Sequence, residues 1–201
     1  IHPNIVKIYG WFEQNETAYI VMEFVQGKSL YQILETEGVL ALSEGKVKKY
    51  FTQITEALAV MHAQSFLHRD IKPDNIVINH QDDAILIDFG STREFITGQT
   101  RAMSVTLTKG YAPIEQYSYK SKRWPATDLY SLCASMYEVL TGELPTEAVL
   151  RMQGEPLIPP SQKNPSVSPL MDKVILKGMQ MNVEERFQSA QELLLALQRK
   201  F

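Results

Sequence analysis

Two runs of β-branched and aromatic residues open the chain, over residues 6–12 and 18–24. Residues 13–16, which lie between them, are polar. Apolar runs of this length on either side of a short polar turn are typical of a β-hairpin. The chain is therefore expected to begin with two antiparallel strands.

A second hairpin is predicted further along, where the apolar runs 76–78 and 84–87 flank a polar turn. Two residues with metal-binding oxygens lie just outside these runs: Asn75 precedes the first and Asp88 follows the second. Because the two strands would be paired, Asn75 and Asp88 are expected at the same end of the hairpin.

Apolar residues recur every three or four positions between residues 43 and 62, which is the spacing of one buried helix face. These residues are Val47, Phe51, Ile54, Leu58 and Met61. Ser43 is the predicted N-cap of this helix. His62, near its end, is interpreted as a capping or packing residue and not as a ligand.

Other segments with helical periodicity are 30–34, 128–140, 170–179 and a Leu-rich last helix that opens with a capping box at 189–192. Gly27 is interpreted as a break before the first of them. Residues 154–169 carry five prolines and are predicted to form an extended connector. Residues 88–115 show little periodicity, and such a long irregular stretch is usually either functional or disordered.

The composition is that of an ordinary soluble protein: 201 residues, 44% hydrophobic, 21% charged and a net charge of -3. This charge gives no reason to expect nucleic acid or an anionic membrane as a partner. The single cysteine, Cys133, excludes an internal disulfide framework and fits a reducing compartment. No apolar run approaches the length of a membrane span. We therefore expect a cytoplasmic segment, within a parent protein that could still be tethered to a membrane.

The residues with the clearest chemistry form two motifs. The first is His68-Arg69-Asp70-Ile71-Lys72-Pro73-Asp74-Asn75, and Asp88-Phe89-Gly90 begins thirteen residues after it. Asp70 can accept the proton of an attacking hydroxyl, and Lys72 can neutralise a phosphate. Asn75 and Asp88 offer the oxygen ligands that magnesium prefers. A surface loop with a few charges is the alternative, but it would not match so many positions at this spacing.

These two motifs resemble the catalytic loop and the magnesium motif of the eukaryotic-type protein kinases. The resemblance covers almost the whole chain, and the sequence looks most like the bacterial branch of the family. It implies an α+β, protein-kinase-like fold, in which residues 26–201 form the large catalytic lobe. Residues 1–25 would then be the hinge and a remnant of the small lobe.

The resemblance further implies that ATP and Mg²⁺ are used and that the acceptor is a protein hydroxyl. Lys72 favours serine or threonine over tyrosine as the acceptor. The adenine of ATP would contact Met22, Glu23, Val25 and Val77, although simple strand packing explains these four residues equally well.

Several other residues receive family roles. Thr108 would contact Asp70 and Lys72, and Glu115 would pair with Arg186 to brace the substrate platform. Asp128 would anchor the backbone of the catalytic loop, with a plain helix N-cap as the alternative. The remaining motif residues, His68 and Phe89, would be structural.

Arg69 suggests regulation, because an arginine beside the catalytic aspartate can pair with a phosphate added to residues 91–108. The candidate hydroxyls are those of Ser91, Thr92, Thr97, Thr100, Ser104 and Thr106.

The chain departs from the family pattern at Cys133 and Lys109, where Gly and Pro are usual. A larger departure is that no Gly-rich loop, strand lysine or partner glutamate precedes Asp70. The chain starts at Ile1 without an initiator methionine and looks like the middle of a longer protein. We therefore expect this segment alone to bind ATP weakly, to transfer phosphate poorly and to aggregate. Two alternatives stay open, a pseudokinase scaffold and a small-molecule kinase of related fold.

Overall fold

The computed structural model describes residues 2–15, 17–88, 93–94, 107–118, 121 and 123–199. Seven strands are found among them. Their bounds are β1 Ile8–Gln14, β2 Thr17–Met22, β3 Gly27–Ser29, β4 Phe66–Leu67, β5 Ile76–Asn79, β6 Ala84–Leu86 and β7 Arg93–Glu94.

These strands form three small antiparallel sheets. The first is the predicted hairpin of β1 and β2, and the second has the order β3-β5-β6. In the second sheet, β5 and β6 form the other predicted hairpin, so both hairpins are confirmed. The third sheet pairs the short strands β4 and β7, which bracket the catalytic motifs in the sequence.

The described residues also contain seven α-helices. Their bounds are α1 Leu30–Glu37, α2 Glu44–Ala63, α3 Pro125–Thr141, α4 Ala148–Met152, α5 Pro160–Lys163, α6 Pro169–Gly178 and α7 Ala190–Gln198. Short 3₁₀ turns cover Val39–Ala41, Pro73–Asn75, Ile114–Tyr117 and Val183–Glu185. The fold is α+β, with a few short strands beside a predominantly helical body.

The hydrophobic core lies between α2, α3, α6 and α7. All five residues of the predicted α2 stripe are buried, as the periodicity requires. Helix α3 is buried along almost its whole length, from Ala126 to Leu140. Because α3 is buried on every side, its polar residues also lie inside the protein. Some of them contact the site described below.

Serine caps start four of these helices. Ser43 accepts a hydrogen bond from the backbone of Lys46, as predicted, and Ser168 caps α6 in the same way. Ser189 caps α7, but the reciprocal glutamate bond reaches Gln188 and not Ser189, so the predicted capping box is only half formed. The complete capping box is on α1, at Ser29. These side chains satisfy backbone N–H groups that a helix start leaves unpaired.

Two interpretations of the sequence were wrong. Gly27 is not an irregular break before α1, because it begins β3 and lies against the backbone of Ile78, with no room for a β-carbon. The proline-rich connector is not fully extended, since Pro160–Lys163 forms α5. Proline fits the first turn of a helix, where its missing N–H is not needed.

The β1–β2 hairpin is the most exposed apolar part of the described chain. Trp11 is 69% exposed, and Phe24, just beyond β2, is 84% exposed. No helix within the described residues is long and apolar enough to cross a membrane.

Candidate active site

Three polar side chains surround the carboxylate of Asp70, two from the turn between β4 and β5 and one, Thr108, from a distant segment of the chain. Lys72 Nζ lies 3.2 Å from Asp70 Oδ2, and Thr108 Oγ1 donates to Asp70 Oδ1 at 2.8 Å. The Asn75 amide donates to the Asp70 backbone oxygen at 2.8 Å and to Oδ2 at 3.2 Å. The structure thus brings together four residues that the sequence motifs singled out. Both oxygens of the Asp70 side chain are thus contacted by polar groups, Oδ1 by Thr108 and Oδ2 by Lys72 and Asn75.

Asn75 and Asp88 are linked through the backbone of the β5–β6 hairpin. The Ile87 N–H, one residue before Asp88, donates to the Asn75 backbone oxygen at 2.9 Å. The Asn75 side chain donates both of its bonds to Asp70 through Nδ2, and its amide oxygen is the atom that could ligate a cation. Asp88 is exposed and has a positive φ of 61°. Two oxygen donors at one end of a hairpin suit magnesium, which keeps waters and phosphates as its other ligands.

Among the described residues, no group of three or more His, Cys, Asp or Glu side chains is arranged to hold a metal ion. Asn75 and Asp88 are the two residues that the sequence predicts as magnesium ligands.

Asp128, in the first turn of α3, is fully buried and holds the loop before Asp70. Its Oδ1 accepts from the Arg69 N–H at 2.8 Å and its Oδ2 from the His68 N–H at 2.9 Å. The N-cap position of α3 belongs to Trp124, so the simpler interpretation of Asp128 as a helix cap is wrong. Burial raises the pKa of the Asp128 carboxyl, but the bond from His62 and the neighbouring histidines outweigh it, so its pKa lies below the ordinary value.

Arg69 needs this restraint, because its φ of 72° is in the left-handed region that disfavours residues with a β-carbon. Its backbone oxygen is held as well, by the Gln116 side chain at 3.0 Å. The peptide groups on both sides of Arg69 are thus fixed by buried side chains. The carboxylate of Asp70 follows directly from this turn.

His68 connects the catalytic loop to the end of β6. Its ring is buried, and Nε2 lies 3.2 Å from the backbone oxygen of Ile87. Burial lowers the pKa of His68, although Asp128 and the Ile87 carbonyl act in the opposite direction. Phe89, the other residue given a structural role, lies outside the described residues. So do the candidate phosphorylation sites within 91–106.

Glu115 and Arg186 form a bidentate ion pair inside the protein. Arg186 Nη1 donates to Glu115 Oε1 at 2.7 Å, and Nη2 donates to Oε2 at 3.1 Å. The arginine side chain is fully buried and the glutamate side chain is 8% exposed. The guanidinium also donates to the backbone oxygens of Gln180 and Met181, and it lies over the ring of Tyr130. The pair that the resemblance implied is therefore present.

The residues proposed for adenine lie near the first two sheets. Met22 ends β2, and the Glu23 N–H donates to the Lys7 backbone oxygen at 2.8 Å. Val25 is half-buried, whereas Val77 is 8% exposed in β5, where it pairs with Ser29.

The sequence interpretation missed several polar residues around this site. Tyr111 donates to the Glu138 carboxylate, and its backbone oxygen accepts from Ser131 at 3.0 Å. Gln116, which holds Arg69, was not singled out either. A signal was available, because α3 carries buried polar residues at helical spacing within an apolar helix. These residues are Thr127, Asp128, Ser131, Ser135 and Glu138.

Comparisons with known proteins agree with this geometry. The sequence model of the protein kinase domain matches residues 1–196. A serine/threonine-protein kinase B from Synechocystis is 32% identical over 98% of the chain, and PknB from Mycobacterium leprae is 34% identical over 96%. The chain spans about a third of the length of these relatives, 35% and 32% respectively.

The solved structure titled PpkA-294 apo form superposes with a TM-score of 0.82 at 25% identity. That match covers 98% of this chain and 69% of the other.

Proposed function

Because the chain belongs to the protein kinase domain family, we propose that it is the catalytic part of a serine/threonine kinase of the bacterial branch. The reaction is transfer of the γ-phosphate of ATP to a serine or threonine hydroxyl of a protein. The observation that carries this proposal is the set of contacts on Asp70. Lys72, Asn75 and Thr108 each place a polar atom within 3.2 Å of its side chain. That arrangement suits deprotonation of a hydroxyl beside a phosphate.

In the proposed reaction, Asp70 accepts a hydrogen bond from the substrate hydroxyl and takes its proton as the new O–P bond forms. The bond between the γ-phosphorus and the bridging oxygen of ATP breaks, and ADP leaves. Lys72 lies against the γ-phosphate as a point charge. It is 23% exposed and bound to Asp70, so one cation orients the base and neutralises the transferred group. Thr108 keeps the carboxylate from rotating away from the substrate. Positioning of this kind provides most of the acceleration in phosphoryl transfer.

Asn75 and Asp88 would hold Mg²⁺, which neutralises charge on the nucleotide phosphates when it is bound. Met22, Glu23 and Val25 would contact the adenine from the hinge side. The metal assignment is supported by the backbone bond from Ile87 to Asn75, which holds Asn75 and Asp88 at the same end of the hairpin.

The proposed division of the chain follows from the same assignment. Residues 1–25 would be the hinge and part of the small lobe, and residues 26–201 the large catalytic lobe. The separate β1–β2 sheet supports this division, because it has no strand in common with the β3-β5-β6 sheet. We place the protein substrate and ATP as partners and the cytoplasm as the compartment, where a free buried Cys133 is stable.

Arg69 is proposed as the regulatory residue of this site. A phosphate on the 91–108 segment would pair with its guanidinium. Support comes from its location, because its backbone is fixed by Asp128 and Gln116 directly beside Asp70. An anion bound there would act on a part of the chain that is already restrained.

The experiment that tests the function uses the full-length natural protein that contains this segment. The protein is incubated with magnesium ATP and with a generic protein acceptor, and added phosphates are counted by intact-mass spectrometry. We expect phosphates on serine or threonine, and an Asp70→Asn variant should lose at least about a hundredfold in rate.

Folding of the Asp70→Asn variant is checked by circular dichroism, so that a loss of rate is not a loss of structure. A folded wild-type protein that binds ATP but phosphorylates neither itself nor the acceptor would indicate a scaffold. Transfer to sugars or aminoglycosides alone would indicate a small-molecule kinase.

A further inference from the structure

A buried glutamine connects the catalytic loop to the segment that follows Thr108. Gln116 belongs to the 3₁₀ turn Ile114–Tyr117, and its side-chain Nε2 donates to the Arg69 backbone oxygen at 3.0 Å. The residue is 7% exposed. Burying an amide is unfavourable unless it is hydrogen-bonded, so a glutamine at this position is better explained by its bond than by the space it fills.

The carbonyl that Gln116 contacts belongs to the peptide group between Arg69 and Asp70. A rotation of this peptide group would change the direction in which the Asp70 side chain leaves the backbone. The N–H of the same peptide group donates to His68 Nδ1 at 3.4 Å, a long and therefore weak hydrogen bond. Because the φ of Arg69 is 72°, local preference does not hold the backbone in this shape. The Gln116 bond is therefore placed where it fixes the orientation of the base.

The backbone of Gln116 is itself restrained. Its N–H donates to the Pro113 backbone oxygen at 2.9 Å, and the preceding residue, Glu115, is held by its bidentate pair with Arg186. The guanidinium of Arg123 donates to the Gln116 backbone oxygen at 3.4 Å. The Gln116 side chain thus extends from a fixed turn. Since a carbonyl only accepts hydrogen bonds, the amide nitrogen is the side-chain atom that must face Arg69.

The same stretch of chain also contacts the carboxylate of Asp70. Thr108 donates to Asp70 Oδ1 at 2.8 Å, so residues 107–117 reach both the side chain of the base and the peptide group before it. We propose that Gln116 is a positioning residue, whose Nε2–H fixes the Arg69–Asp70 peptide group and thereby the direction in which Asp70 faces the substrate hydroxyl. The effect on catalysis rests on the proposed kinase function, whereas the effect on the loop does not.

The test compares Gln116→Met and Gln116→Glu with wild type in the full-length protein. Methionine fills a similar volume without a donor, and glutamate keeps the shape but, as a carboxylate, only accepts hydrogen bonds. We expect both variants to lower kcat about tenfold to a hundredfold, with KM for ATP within about twofold of wild type. Gln191→Met, at an exposed position of α7, is the matched control and should leave kcat unchanged.

A second measurement follows hydrogen exchange of the Asp70 amide and does not depend on activity. We expect about tenfold less protection in Gln116→Met, because the peptide group that carries this amide would rotate more freely. The Leu132 amide, in the middle of the buried helix α3, should keep its wild-type protection. If Gln116→Met keeps the wild-type kcat, or lowers the protection of Asp70 and Leu132 alike, Gln116 only stabilises the fold and the proposal is overturned. If the wild type transfers no phosphate, the kinase assignment fails, and the exchange data alone decide the role of Gln116.

Discussion

The buried ion pair between Glu115 and Arg186 allows a sharp test of how this fold is held together. The perturbation is Arg186→Met, which keeps a long apolar side chain but removes the guanidinium. Arg186 is 2% exposed and donates to both oxygens of Glu115 and to the backbone oxygens of Gln180 and Met181. Its removal leaves a buried carboxylate without its cation.

The magnitude follows from that uncompensated charge. Removing one partner of a buried ion pair costs about 3 to 5 kcal/mol in the free energy of unfolding, because the remaining charge is neither hydrated nor paired. For a chain of this size, a loss of about 1 kcal/mol lowers Tm by about 2 to 4 °C. The expected decrease in Tm is therefore about 6 to 20 °C. Thr127, which donates to Glu115 at 3.0 Å, reduces the loss but carries no charge.

The assay is urea unfolding followed by circular dichroism, with Glu115→Met and the double variant measured alongside Arg186→Met. The double variant removes both charges and should recover at least about 1 kcal/mol relative to the sum of the single losses. The matched control is Lys163→Met, which breaks an ion pair of 2.8 Å on the surface and should leave the unfolding midpoint unchanged within error. The reasoning is refuted if Arg186→Met costs less than about 1 kcal/mol, or if the single losses are simply additive.

Two further predictions concern buried residues near the core. Because burial lowers the pKa of His68 from 6.5, the unfolded chain alone gains a proton just below that pH. Stability should therefore fall as the pH drops below about 6.5, by at most about 1.4 kcal/mol per unit, and His68→Tyr should flatten this part of a pH titration of unfolding. An unchanged slope in His68→Tyr would contradict the assignment. A β-carbon at Gly178 would lie 2.9 Å from Cys133 Cβ, so Gly178→Ala should cost about 1 to 3 kcal/mol in urea unfolding. Adding Cys133→Gly should relieve part of this cost, and a fully additive double variant would argue against the clash.

The catalytic loop could be predicted from the sequence because its constraints are local. Asp70, Lys72 and Asn75 fall within six residues, so the short chain between them limits where their side chains can lie. The two hairpins and the buried face of α2 were also predictable, since strand and helix periods are visible along the chain. Contacts of Thr108 and Asp128 with this loop are not local. They were expected only because the chain resembles a known family.

The sequence did not reveal contacts between residues on different elements, because these contacts depend on which elements pack together. His62 was interpreted as a packing residue because nothing in α2 indicates that its last turn faces the first turn of α3. Gln116 and Glu138 were missed for the same reason, as their partners lie far away in the sequence. Gly27 was misread because a glycine that ends a pattern and one that permits close backbone approach look identical in one sequence.

Strand β5 fixes the distance between two residues that are proposed to contact a nucleotide. Asn75 directly precedes the strand and Val77 is its second residue, so about 7 Å of extended chain separates the proposed metal ligand from the proposed adenine contact. Both are set by one register, in which Val77 lies opposite Ser29 on one side and Ile85 on the other. A slip of one residue would turn Val77 to the opposite face and move Asn75 along the strand at the same time. The register of β5 would therefore set the distance between the proposed metal ligand and the proposed adenine contact, and a shift in register would displace both.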